Sequence, residues 1–143
     1  MFTILVTFLT VIADQITKYF VCINMDLGET IPVIKNVVHL TYIMNPGAAF
    51  GLFPHQDVLF LGIVMILLLA FAWLRNRIPQ KPVYFPLSIG LLLGGAVGNA
   101  LDRCRIGGVV DFFDFRIWPI FNVADIAICI GVACIAFYFW RHD

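Results

Sequence analysis

Eight aspartates and one glutamate supply all the acid in this 143-residue chain. Five of the aspartates, Asp14, Asp102, Asp111, Asp114 and Asp125, lie in or beside long apolar runs. Two of them stand three residues after an asparagine, as Asn99/Asp102 and Asn122/Asp125. Residues three apart share a helix face, and an amide beside a carboxylate can donate to it and orient it. Carboxylates in such pairs suit general acid–base work. Two close ones cannot easily both ionise, so they share a proton. The ionised member then activates a water and the protonated one polarises a scissile carbonyl. Other chemistries lack residues. Ser88 is the single serine and has no G-x-S-x-G around it. His39, His55 and His142 are scattered, with no H-E-x-x-H zinc pattern. A Cys–His pair would need Cys104 near His39 or His55, a weaker alternative. None of the four cysteines forms C-x-x-C, and Cys129 and Cys134 sit in an apolar run, where cysteine behaves as a small hydrophobe. No metal site, cofactor or disulfide is assigned.

The elements that must position these acids are membrane spans. Hydrophobic residues make up 62% of the chain and charged ones 13%, with a mean hydropathy of +0.96. A soluble domain has roughly twice that charge, and one of this size could not hide so much apolar surface. The chain is expected to form a single integral membrane domain, 1–143. Its spans are expected at about 1–22, 58–74, 83–101 and 120–140, each near the length a bilayer requires. The first span has no basic n-region or A-x-A site and carries Asp14, so it reads as a retained helix rather than a signal peptide. With nine basic and nine acidic residues and no basic run, nothing predicts nucleic-acid binding.

Residues 75–82 hold three basic residues and no acid. The positive-inside rule places them, and with them both termini, in the cytoplasm. Alternation then brings Asp14, Asp102, Asp111, Asp114 and Asp125 together near the outer interface. Residues 37–44 are β-branched and aromatic and read as a strand, Asn45-Pro46-Gly47 as a turn, and 48–53 as a returning strand. Asp111 and Asp114 fall in the loop joining the last two spans. Gly94, Gly95 and Gly98 form a small-residue stripe that lets another helix approach closely.

Plainer roles stand beside these. Asp14 can bond Lys18, its i+4 neighbour. Asp102 and Arg103 read as a stabilising, lipid-facing pair at a helix end. Asp114 and Arg116 read as solvated interfacial charges, and His39 and His55 as interfacial polar residues. Trp73, Trp118 and Trp140 read as interface anchors. Asp125 is the strongest candidate on physical grounds, because a carboxylate inside a span is costly. Whether Asp102 or Asp111 partners it stays open. A carboxylate-dependent transporter and a non-catalytic assembly factor also use intramembrane acids. The one-sided clustering speaks against the first, and the number of aspartates against the second.

Five blocks together carry a resemblance: DQITK at 14–18, NPGAAFG at 45–51, GNALDR at 98–103, VVDF at 109–112 and FNVAD at 121–125. In this order and with this span pattern, the whole chain resembles the lipoprotein signal peptidases (signal peptidase II), bacterial inner-membrane aspartic proteases. The resemblance implies four transmembrane helices, a small extracytoplasmic β-cradle and a short amphipathic segment between the third and fourth spans. It implies cleavage of diacylglyceryl-modified prolipoproteins just before the lipidated cysteine, with no cofactor or metal. Asp111 and Asp125 are the implied catalytic pair. Asp14, Asn45, Asn99, Asp102, Arg103 and Asn122 are implied to shape the site or hold substrate. Inhibition by globomycin, contact with membrane lipid and a monomeric state are further expectations.

Overall fold

The computed structural model describes residues 1–47 and 54–142. Four helices, α1 (Phe2–Asn24), α2 (Asp57–Leu74), α3 (Tyr84–Ile106) and α4 (Val123–His142), are each long and apolar enough to cross a membrane. Three strands, β1 (Thr30–Ile34), β2 (Val38–Asn45) and β3 (Val109–Asp114), form an antiparallel sheet in the order β1-β2-β3. The sheet covers the end of the bundle where α1 stops and α4 starts. Val21 of α1 and Met25 just after it pack there against Val110 and Phe112 of β3.

The third helix is the centre of the bundle, packed between α1 and α4. Its glycines explain why. Gly90, Gly94 and Gly98 are spaced by four and face α1. A Cβ on Gly94 would sit 2.5 Å from Thr10 Cβ, and one on Gly90 2.7 Å from Val6 Cβ. Gly95 turns the other way and meets the Ala124 backbone of α4. The stripe anticipated at Gly94, Gly95 and Gly98 therefore serves two helices, and Gly90 extends it. Without a hydrophobic drive between helices in lipid, this close backbone approach is what makes van der Waals contact worthwhile. Gly94→Ala is accordingly expected to destabilise the protein by about 1–3 kcal/mol through overpacking. Gly62→Ala on α2, where nothing lies within 4 Å, should leave thermal unfolding in detergent unchanged or slightly raised. By contrast with α3, α2 buries no residue.

The third span runs further than expected, through Ile106 rather than about 101, so Asp102 lies inside the helix and is buried. It ends where Gly107 takes a left-handed conformation (φ 69°) and its N–H bonds Arg103 O. That turn sends the chain directly into β3. Asp111 and Asp114 are therefore on a strand, not in a loop as expected, and both are buried. The short run VVDFFD hides its β character behind two acids. The amphipathic segment between the last two spans takes the form of this strand followed by an exposed turn bearing Arg116, Ile117 and Trp118. The strand expected at 37–44 is β2. Its neighbours in the sheet are β1 and β3. The returning strand expected at 48–53 lies outside the described residues.

Candidate active site

Strand geometry aims Asp111. Side chains alternate along β3, so Val110 and Phe112 enter the core beneath the sheet while Val109 and Asp111 line a cavity of about 480 Å³. Asp125 reaches the same cavity from the first turn of α4, and Asn45, Asn99 and Arg103 line it too.

Asn122 joins the two acids. As the residue before α4, its Oδ1 accepts the Asp125 N–H (2.9 Å), and its own N–H donates to Asp125 Oδ2 (3.1 Å). This is a reciprocal capping box with asparagine and aspartate in the two roles. The Asn122 amide nitrogen is thereby turned outward and lies 2.6 Å from Asp111 Oδ1. Asn45 works the same way. Its Oδ1 accepts the Gly47 N–H (2.9 Å), as expected of a turn residue, which leaves Nδ2 to donate to Asp111 Oδ2 (2.9 Å). Asn99 donates to Asp125 Oδ1 at 2.8 Å. The i+3 pairing expected between Asn99 and Asp102 is thus replaced by a bond across to α4, while that between Asn122 and Asp125 is present. Burial pushes the Asp111 carboxyl up to about 7, with the Asp125 charge adding to the rise and the Asn45 and Asn122 hydrogen bonds opposing it.

A second group of buried charges stands behind the first. Lys18 Nζ lies 2.9 Å from Asp14 Oδ2, 2.8 Å from Asp102 Oδ2 and 2.9 Å from Asn99 Oδ1. The lysine cation next to Oδ1 fixes which way the Asn99 amide points, and so presents Nδ2 to Asp125. Asp14, fully buried, also accepts the Ala124 N–H of the α4 first turn (3.0 Å). Such a carboxylate satisfies an otherwise unpaired helix donor. Asp102 accepts the Val110 N–H (3.2 Å) and Gln15 Nε2 (2.9 Å). Asp14 and Asp102 thus tie α1, α3, β3 and α4 together, and neither lines the cavity. The expected Asp14–Lys18 contact is present. The expected Asp102–Arg103 pairing is not, because adjacent helical residues point apart.

Arg103 instead donates to Gly47 O (2.9 Å), lies 3.6 Å from Asp57 of α2 and covers the Phe60 ring at 4.3 Å. It links the end of β2 to the start of α2. Asp114 belongs to neither group. It is buried, not solvated as expected, and accepts Thr41 Oγ1 and the Arg116 N–H, each at 2.8 Å. Burial pushes its carboxyl up, but the Thr41 and Arg116 bonds and the Arg116 charge outweigh that and hold it below the usual range. His39 is likewise buried, with the exposed Arg116 donating to its Nδ1. Trp118, expected as an interface anchor, lines the cavity.

The sequence reading did not place Lys18, Gln15 or Asp57 in the site. For Lys18 a signal existed: a lysine inside an apolar span is as costly as an aspartate and requires a partner. Asp57 gave none, since its partner comes from α3, and Gln15 little, since most of its partners do too.

The family model for signal peptidase (SPase) II matches residues 6–141. A lipoprotein signal peptidase of Halothermothrix orenii is 41% identical over 97% of this chain and 95% of its own length. One from Pelotomaculum thermopropionicum is 47% identical over 95% and 90%. A solved bacterial membrane enzyme superposes with a TM-score of 0.90 at 36% identity, covering 97% of this chain and 87% of that one. With four apolar helices, a small antiparallel sheet at the end of the bundle and these matches over nearly its whole length, the chain belongs to the signal peptidase II family.

Proposed function

We propose that Asp111 and Asp125 are the catalytic pair of a signal peptidase that removes signal peptides from prolipoproteins. The observation that carries this is the shared Asn122, which holds one carboxylate by its backbone N–H and the other by its side chain, both facing one cavity. In this reading Asp111, whose carboxyl is pushed up to about 7 by burial, holds the proton and polarises the scissile carbonyl. Asp125 is the carboxylate that takes a proton from the attacking water. The tetrahedral intermediate then collapses as the leaving amide nitrogen is protonated. Arg103 and the asparagines line the peptide's path.

The cavity is walled on one side by Ile126 and Ile130, whose side chains face outward on α4. That opening toward lipid supports lateral entry of the substrate, with its diacylglyceryl chains left in the bilayer and the cut made just before the lipidated cysteine. The apolar helices suit a multi-pass protein of the bacterial inner membrane. The basic 75–82 loop supports cytoplasmic termini, with the site toward the outer face. One integral domain acting as a monomer, and competition by globomycin at the dyad, complete the reading.

The test is cleavage of a diacylglyceryl-modified prolipoprotein by the purified chain, followed across pH with both products identified by mass spectrometry. Cleavage at the lipidated cysteine is expected, with kcat/KM falling as pH rises through about 7, where Asp111 loses its proton. Failure to cleave the lipidated substrate overturns the reading. A rate flat from pH 6 to 9 removes Asp111 as the protonated partner.

A further inference from the structure

At the end of the bundle opposite the sheet, a second recess of about 290 Å³ opens between α2 and α3. Leu67, Ala70 and Phe71 wall it from α2, Ile89 and Leu92 from α3, and Arg77 stands in its lining. Apart from that arginine, its lining residues are apolar. An apolar void of this kind stays dry, and α2, with no buried residue of its own, leaves it accessible from the lipid side. In a bilayer the material available to fill it is acyl chain.

The mouth then decides which lipid. Arg77 ends the short 3-10 turn Arg75–Arg77 that follows α2. Its guanidinium lies 5.7 Å from the centre of the Trp73 ring, and no acidic partner pairs with it among the described residues. Trp73 is exposed at the end of its span, where tryptophans settle at headgroup level. Arg75 and Lys81 add positive charge nearby in the sequence, and residues 75–82 contain no acid. An uncompensated guanidinium at headgroup depth, above a slot that takes a chain, matches a lipid whose headgroup carries net negative charge. Basic pockets between transmembrane helices hold such lipids.

We propose that this recess binds one anionic phospholipid, an acyl chain between α2 and α3 and its phosphate on Arg77. The site is separate from the dyad, and α2, the least embedded of the four helices, is the element it would brace.

The test is native mass spectrometry of the intact protein in detergent with added dioleoyl phosphatidylglycerol or dioleoyl phosphatidylcholine. Wild type should retain the anionic lipid preferentially. Arg77→Gln should weaken phosphatidylglycerol retention about five-fold, the effect of one basic residue at an anionic headgroup, and weaken phosphatidylcholine less, because its choline cation already offsets the phosphate charge. Arg75→Gln, outside the recess, should change retention little. Ala70→Phe, at an exposed position, fills the slot and should reduce both lipids. Prolipoprotein cleavage and thermal unfolding report that each variant is folded. Wild-type retention by Arg77→Gln overturns the proposal. So does an equal loss in Arg75→Gln, which would mean diffuse surface attraction, or undiminished binding in Ala70→Phe.

Discussion

Asp111→Asn and Asp125→Asn should each lower kcat for prolipoprotein cleavage by about a thousand-fold or more, within the range general acid–base groups supply. The double variant should be little worse than either single one, because two residues acting as a unit are not additive. Stability should behave differently. In the folded chain burial keeps the Asp111 proton on up to about pH 7, against an ordinary carboxyl value of 3.8. Between these values the folded form holds a proton that the unfolded form has released, so stability declines as pH rises through that window. Asp111→Asn removes that ionisation and should melt no lower than wild type at pH 8. Asp102→Asn, which touches Lys18, Gln15 and Val110 instead of the cavity, should show a lower melting temperature as its main effect. If Asp102→Asn were inactive at full stability and Asp111→Asn cleaved normally, the dyad would be misassigned.

Lys18→Met should be among the most destabilising single substitutions in the chain. It removes the cation that pairs with both Asp14 and Asp102, which are 0% and 5% exposed. Breaking a buried charge group by removing one partner costs about 3–5 kcal/mol, because the remaining charge is left uncompensated. The loss should appear as a large drop in thermal unfolding temperature in detergent. Adding Asp14→Asn and Asp102→Asn to Lys18→Met removes the stranded charges and should restore most of the stability. Activity should not return with it. Lys18 also fixes the Asn99 amide that donates to Asp125, and that bond is absent in the triple variant. Wild-type melting in Lys18→Met would show that the lysine does not neutralise the pair. Full activity in the triple variant would show that Asn99 needs no help in orienting.

Much of this molecule was legible in its sequence because lipid is an unforgiving solvent. Twenty-residue apolar runs have one stable form there, the helix that satisfies its own backbone, so the four spans followed from composition. The side on which the acids gather followed from alternation of the spans. Asn122 and Asp125, three residues apart at the mouth of an apolar run, carried their local capping geometry in the spacing alone.

The tertiary structure decided which acid does what. Asp102 and Asp111 look alike along the chain, and both end near the same interface. They separate because Gly107 turns the chain into a strand whose alternation sends Asp111 to the cavity. Asp102, still on the helix, faces Lys18 on a neighbouring one. Asp114, three residues beyond Asp111, is carried away to Thr41 by the same strand. Asn99 shares a helix face with Asp102, yet Lys18 claims its oxygen and Asp125 its nitrogen. Local spacing sets which residues lie on one face of one element. Partners on another element are set by how closely two backbones approach, and here the glycines of α3 set that distance.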